Sequence, residues 1–244
     1  MNNKNLHVLS IIIPVYNEEA TLLSLLRKIQ KVYLLQDITK EIIIINDGST
    51  DRTEGIIKDY MGANPFLKIQ YFQHATNQGK GAALHTGIGH ATGEYLIIQD
   101  ADLEYEPQEY NLLLAPIISG IADVVYGSRF LRDNRYTTTF FWHAIGNKFL
   151  TMTSNIFTGL HLTDLYTGYK LFPTPLIQSL HLKEKHFWFE SEVTTKIARI
   201  PHIRISEVSI SYHGRTYREG KKIGWRDGFR AIVCIFIYSF FSGK

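Results

Sequence analysis

The chain alternates between short apolar runs and segments in which apolar residues recur at helical spacing. Residues 9–14 (LSIIIP) and 41–46 (EIIIIN) are isoleucine-rich runs bounded by proline or polar turn residues. Such runs suit strands buried on both faces of a parallel sheet. Between them Leu22, Leu25, Leu26, Ile29 and Val32 share one helical face, with Glu18 and Glu19 at the start of the segment, where a helix N-terminus favours acidic groups. The alternation continues with a helix over 53–60, a strand over 67–72, a helix over 81–91, a strand over 95–99 and a helix beginning near Pro107. This rhythm predicts an α/β fold with a doubly wound sheet flanked by helices.

After residues 124–127 the pattern loosens. Residues 129–168 read as a loop and helix holding Arg129, Arg132, Arg135, His143, Asn147 and Lys148. A helix over 191–199, a strand over 203–211, a basic loop and an amphipathic end complete the chain.

A length of 244 residues supports one sizeable core rather than two. Hydrophobic residues at 45% and charged residues at 20% disfavour disordered, collagen-like and multi-span membrane classes. Cys234 is the only cysteine, which excludes an internal disulfide or a multi-cysteine metal site and fits a reducing compartment. Residues 1–7 are polar and run straight into a strand, so neither a signal peptide nor a transit peptide is visible and a cytoplasmic location is expected.

The longest apolar stretch, residues 231–241, would reach roughly 16 Å as a helix, against about 30 Å of hydrocarbon. It is too short to span a bilayer. Its aromatics and the flanking Arg226 and Arg230 suit a helix lying at a membrane surface, and a core-packed terminal helix reads equally well. The expected division is therefore a catalytic domain over 1–230 and an apolar tail over 231–244. Net charge is +3, but residues 199–244 hold nine Lys/Arg against three Asp/Glu, so the positive charge is concentrated at that end.

Ligands of doubly wound sheets bind beyond the carboxyl ends of the strands. Here those positions read Val15-Tyr16-Asn17-Glu18, Asp47-Gly48-Ser49 and Asp100-Ala101-Asp102. If the backbone stays extended after residue 99, Asp100, Asp102 and Glu104 share one face. Three carboxylates so placed would hold Mg²⁺ or Mn²⁺, which takes oxygen ligands from carboxylates and substrate phosphates. An isolated Asp-x-Asp also reads as an acidic loop capping a helix. The second acidic strand end, Asp47 in NDGSTD, favours a nucleotide site instead, with Asp51 read as a first-turn helix residue. Residues 77–81 (NQGKG) can cradle an anion at a helix N-terminus, or form a flexible turn with Lys80 in solvent.

Taken in order, IIIPVYNEE, NDGSTD, NQGKGAAL, QDADLEY, GSRF, LTDLYTGYK and SYHGRTYREGKKIGWRDGFRA resemble glycosyltransferase family 2, and within it the polyprenyl-phosphate group typified by dolichyl-phosphate mannose and glucose synthases. The resemblance covers residues 9 to about 235. It implies a GT-A fold, a Rossmann-like, mostly parallel sheet flanked by helices, and inverting transfer from a nucleotide-diphosphate sugar of GDP-mannose or UDP-glucose type. The acceptor it implies is a dolichyl or undecaprenyl phosphate, at the cytoplasmic face of a membrane.

By motif position, Pro14, Tyr16, Glu18, Ile45 and Asp47 would hold the nucleoside. Asp100, Ala101 and Asp102 would contact donor and metal, and Glu104 would be a further metal ligand where relatives often carry Gln. Arg129, Arg215 and Lys221 would face the donor phosphates. Arg129, His143 and Asn147 would orient the acceptor phosphate, although His143 also reads as a packed structural residue. Gly168 stands where many relatives carry cysteine.

A lipid phosphate is already an anionic nucleophile, so positioning and electrostatics by Asp100, Asp102 and Arg129 can carry the catalysis. A hydroxyl acceptor would instead require a base such as Glu190 or Glu192, which otherwise read as capping or packing groups. A nucleotidyltransferase and a non-catalytic nucleotide-sugar binding module are the remaining alternatives. No nucleic-acid recognition module is apparent, so nucleic acid is not an expected partner.

Overall fold

In the computed structural model, residues 6–131, 141–186, 188–214 and 225–240 are described, with backbone alone for 141–143, 225–229 and 231. Arg215 and Lys221, expected at the donor phosphates, lie outside the described residues, as does the side chain of His143.

The strands are β1 (Val8–Val15), β2 (Thr39–Asn46), β3 (Ile69–Gln73), β4 (Tyr95–Ile98), β5 (Val124–Ser128), β6 (Lys170–Pro173) and β7 (Ile205–Ser209). The helices are α1 (Leu22–Lys31), α2 (Thr53–Ala63), α3 (Lys80–His90), α4 (Tyr110–Ile118), α5 (Phe141–Thr158), α6 (Thr174–Ser179), α7 (Phe189–Ala198) and α8 (Trp225–Phe240). One sheet runs in the order β3-β2-β1-β4-β6-β5-β7. It is parallel except where β6 pairs antiparallel with both β4 and β5.

The isoleucine runs form strands because both sheet faces are covered. Ile11, Ile13, Ile42 and Ile44 enter one core with Leu22, Leu25 and Leu113. Ile12, Ile43 and Ile45 enter the opposite core with Leu84 and Phe189. The alternation follows the two-residue strand period.

Several boundaries differ from the pattern. The first helix begins at Leu22, not at the acidic pair: the Glu18 carbonyl accepts from Leu22 N at 3.0 Å, and the Glu18 carboxylate from the Thr21 hydroxyl at 2.6 Å. The third strand begins at Ile69 and the last is confined to Ile205–Ser209. β6 falls in a stretch assigned to no element.

The β6 insertion matters most for the site. An antiparallel strand enters the sheet at the end where parallel neighbours leave it. The residues leading into β6, from Asp164 to Lys170, therefore lie beside the carboxyl end of β4. In addition, α8 crosses the division expected at 230/231. It packs on α5 and α7, burying Cys234 and Ile235 while exposing Phe236, Ile237 and Phe240.

Candidate active site

The loops after β1 and β2 are latched to each other. Asn17 N donates to Ser49 Oγ and Thr50 N to Asn17 Oδ1. Glu18 N donates to Thr53 Oγ1, Glu19 N to Asp51 Oδ2, and Arg52 N to Glu19 Oε2. Asp51 precedes α2 rather than sitting in its first turn, and its Oδ1 accepts from Thr53 N at 3.0 Å. Pro14 and Tyr16 are half-buried at this rim. Ile45 is fully buried, its side chain directed at Gly87 of α3, so a contact with a nucleoside would be through main chain.

Asp47 is also turned inward. Its Oδ1 lies 2.6 Å from His74 Nδ1 and accepts from Gln78 N at 2.9 Å, while Oδ2 accepts from Gly79 N at 2.8 Å. His74 Nε2 lies 2.9 Å from Thr86 Oγ1. The glycine-rich loop thus does cradle an anion, and that anion is the chain's own Asp47 carboxylate. Further along α3's first turn, Ala82 N donates to Lys185 O at 3.0 Å. His74 carries no spacing signal that sequence reasoning could use.

Lys80 is not in solvent. Its ammonium lies 2.7 Å from Asp100 Oδ1 and 4.0 Å from Glu190 Oε1. Burial alone would lower its pKa, but Asp100, Glu190 and Asp102 outweigh that and raise it. Glu190 is in turn paired with Lys170, fully buried on β6. Burial, against the pull of Glu190, lowers the Lys170 pKa. Glu190 is thus part of the site wall rather than a cap of its own helix. Glu192 is structural, accepting from Lys183 N, Glu184 N and the Lys196 ammonium.

The aspartate loop departs from the extended geometry. Beyond Asp100 the chain turns, Leu103 has φ 62°, and Asp102 Oδ1 accepts from Glu104 N at 3.1 Å. A turn breaks the two-residue period, so the three carboxylates do not line one face. Glu104 faces Tyr212, whose hydroxyl donates to Glu104 Oε2 at 2.8 Å. Among the described residues no group of three or more Asp, Glu, His or Cys side chains is placed to hold a metal.

The remaining pair still suits Mg²⁺ or Mn²⁺, which is commonly held by one or two carboxylates with the rest of its shell from phosphate and water. Gly168 shapes this pocket. A Cβ there would collide with Asp100 Oδ2 and lie 2.9 Å from the Tyr105 ring.

Arg129, Asn147 and Asp164 form a second cluster. Arg129 Nε and Nη2 donate to the two oxygens of Asp164 at 2.7 and 2.8 Å, and Asn147 Nδ2 donates to Oδ1 at 2.7 Å. Burial alone would raise the Asp164 pKa and lower that of Arg129, but their mutual attraction wins in both directions. The guanidinium also lies 4.9 Å from the Tyr212 ring centre. Tyr212 therefore joins this cluster to Glu104. Glu207 of β7 holds the loop beneath, accepting from Thr163 N and Asp164 N. Arg129 and Asn147 are thus brought together, while Asp164 and Glu207 were given no role by sequence.

A sequence model of the family described as Glycosyl transferase family 2 matches residues 10–180. The chain belongs to that family. Similar proteins include a dolichyl-phosphate β-glucosyltransferase of Trichomonas vaginalis, 29% identical over 84% of this chain and 65% of its own length. Another is an undecaprenyl-phosphate 4-deoxy-4-formamido-L-arabinose transferase of Aeromonas hydrophila, 28% identical over 91% and 64%. A dodecaprenyl-phosphate galacturonate synthase of Rhizobium johnstonii is 26% identical over 96% and 67%. The chain thus spans about two thirds of the length of these curated relatives.

Among solved structures, glucosyl-3-phosphoglycerate synthase from Mycobacterium tuberculosis, in complex with Mn²⁺, UDP and phosphoglyceric acid, superposes with a TM-score of 0.71 at 16% identity. That match covers 98% of this chain and 81% of the other. The same enzyme was solved with Mg²⁺ and UDP, at a TM-score of 0.70, 17% identity and coverage of 96% and 80%. The likeness shows the expected GT-A fold of this family-2 chain: one α/β domain on a mostly parallel seven-stranded sheet.

Proposed function

We propose that this chain transfers a hexose from a nucleotide-diphosphate sugar to a polyprenyl phosphate at the cytoplasmic face of a membrane, with inversion at the anomeric carbon. The observation that carries the reading is the double character of α5. One side of it delivers Asn147 to the Arg129–Asp164 cluster. Another exposes Ile145, Phe149, Met152 and Ile156. A seat for an anion beside an apolar surface fits an acceptor that is a phosphate at one end and a hydrocarbon chain at the other. The three relatives' names, each a prenyl-phosphate sugar transferase, support the same acceptor.

In this reading the loops after β1 and β2 receive the nucleoside, and Asp100 and Asp102 hold Mg²⁺ or Mn²⁺ with the diphosphate. The bound ion would supply charge stabilisation for the departing nucleoside diphosphate. Arg129, already pinned by Asp164, needs no reorganisation to receive the acceptor phosphate, the preorganisation on which electrostatic catalysis depends. Arg215 and Lys221 complete the donor-phosphate contacts, and His143 the acceptor seat.

No helix among the described residues is long and apolar enough to cross a membrane. The surface shared by α5 and α8 is the proposed membrane contact: Phe157 packs edge-on against Phe236 and Phe240, and Val233, Ile237 and Phe240 remain exposed. Lying on the bilayer buries such a surface without spanning it.

Transfer to a hydroxyl is disfavoured because the Glu190 carboxylate carries Lys170 and that of Glu192 is occupied by main-chain amides and Lys196. Membership of family 2 likewise disfavours a nucleotidyltransferase.

The test is transfer of radiolabel from GDP-mannose, UDP-glucose or UDP-N-acetylglucosamine into organic-extractable product, with polyprenyl phosphate and Mn²⁺. Label with at least one donor, abolished by EDTA and by Asp102→Asn, is the expected result. Wild-type rates in Asp102→Asn would remove the metal assignment.

A further inference from the structure

Two carboxylates flank one ammonium at the donor end of the site. Lys80 Nζ rests 2.7 Å from Asp100 Oδ1, with Glu190 Oε1 at 4.0 Å. Glu190 is held from behind, because its Oε2 is paired with the ammonium of Lys170. That ammonium also donates to Thr167 O and lies 5.0 Å from the Tyr126 ring centre. Lys170 is fully buried, so it is a fixed counter-charge for Glu190.

The main chain around Lys80 is fixed as well. Gly79 N is tied to Asp47, Ala82 N to Lys185 O, and a Cβ on Gly79 or Gly81 would run into residues 184–186. What can move is the flexible four-carbon stem of Lys80, whose compact ammonium can change partners without its backbone.

We propose that Lys80 is a tethered cation with two seats, Asp100 in the empty site and Glu190 in the loaded one, and that Glu190 and Lys170 are the positioning residues of the second seat. The proposal rests on the reading of Asp100 and Asp102 as metal ligands. A divalent ion held by Asp100 would share with Lys80 the carboxylate that the ammonium now contacts. Ammonium and ion cannot share it at close range without strong repulsion in a partly buried site. Glu190 Oε1 is the carboxylate oxygen already next to Lys80, and moving there lets the ammonium face the incoming diphosphate.

Metal binding without nucleotide must therefore displace Lys80 unaided. With nucleotide present, the diphosphate supplies new anionic partners for the displaced ammonium. The lysine thus couples metal affinity to the presence of a nucleoside diphosphate.

The test is Mn²⁺ titration of the whole protein, followed by the electron paramagnetic resonance signal of free Mn²⁺, without nucleotide and with UDP or GDP. Wild type should bind Mn²⁺ weakly alone and more tightly with one of the nucleotides. Lys80→Met should bind Mn²⁺ alone about tenfold more tightly than wild type, within the usual range of coupling between sites. It should also show a smaller nucleotide effect. Lys80→Arg, which keeps the charge, should not gain nucleotide-free affinity. Glu190→Gln should weaken nucleotide-free binding in wild type and change nothing in Lys80→Met.

Nucleotide-free Mn²⁺ affinity in folded Lys80→Met equal to or below wild type overturns the two-seat proposal and leaves the metal assignment standing. Absence of Mn²⁺ binding in wild type with both nucleotides overturns both.

Discussion

Arg129 and Asp164 meet as a two-point pair, guanidinium Nε and Nη2 against both carboxylate oxygens at 2.7 and 2.8 Å, with Asp164 fully buried. The pair fixes the Arg129 guanidinium, and Asn147 shares the same carboxylate. Breaking a buried pair by removing one charge costs about 3–5 kcal/mol. Asp164→Asn should therefore lower stability by an amount of that order. It should also raise KM for the lipid phosphate more than KM for the nucleotide sugar. Chemical denaturation and steady-state kinetics with each substrate varied check both halves; equal effects on the two KM values would remove Asp164 from the acceptor side.

Gly168 gives the aspartate site its shape, since a Cβ there would collide with Asp100 Oδ2. In Gly168→Ala the Asp100 carboxylate must swing aside. Overpacking of this kind costs about 1–3 kcal/mol. The larger effect should be on Mn²⁺ binding with nucleotide, weakened by about tenfold or more, as expected for a ligand knocked out of place. Unchanged Mn²⁺ affinity in the folded variant would mean that Asp100 is not a ligand.

Phe236 and Phe240 meet Phe157 edge-on yet stay exposed. The double replacement Phe236→Ser and Phe240→Ser should leave the melting temperature nearly unchanged. It should reduce partitioning onto anionic vesicles by about tenfold or more, given the apolar area each ring would otherwise bury in lipid. Equal partitioning would place the membrane contact elsewhere.

At the opposite end of the sheet, buried Glu41 accepts from Ser10 Oγ, Thr92 N, Thr92 Oγ1 and Gln70 Nε2, and pairs with Lys68. Burial pushes its pKa up, but Lys68, Ser10 and Thr92 win and hold it down at about 2. A carboxyl with a depressed folded pKa stabilises the fold fully above the ordinary glutamate range and loses that contribution as pH falls through the folded value. Denaturant midpoints should fall between pH 5 and about pH 2, and Glu41→Gln should be less stable at pH 7 with a flatter decline over that window. Parallel curves would show that Glu41 is not the acid-sensitive group.

The pattern of apolar runs was enough to read the parallel strands, because isoleucines buried on both faces leave an unbroken signal. Asp100 and Asp102 stand out for a related reason, both following a strand at the end of the sheet where ligands bind, whereas Arg129 is singled out by the family resemblance. β6 leaves little signal in the sequence because it is short, ends in a proline and starts at a lysine. Lys170 tolerates burial there only because Glu190, twenty residues later, meets it. Asp47 was legible as an acidic strand end, but not its inward turn onto Gln78 and Gly79, which depends on how the loop after β3 folds back. The turn at Leu103 likewise hides in a sequence whose alternating acids suggest an extended strand.

The proposed acceptor is a lipid phosphate received by Arg129. The most direct test compares polyprenyl phosphate with the matching polyprenol as acceptor, using the preferred nucleotide sugar and Mn²⁺. Transfer to the phosphate alone is the expected result, with Arg129→Ala losing that transfer while still binding nucleotide. Transfer to the polyprenol at a comparable rate, or a wild-type rate in Arg129→Ala, would contradict it.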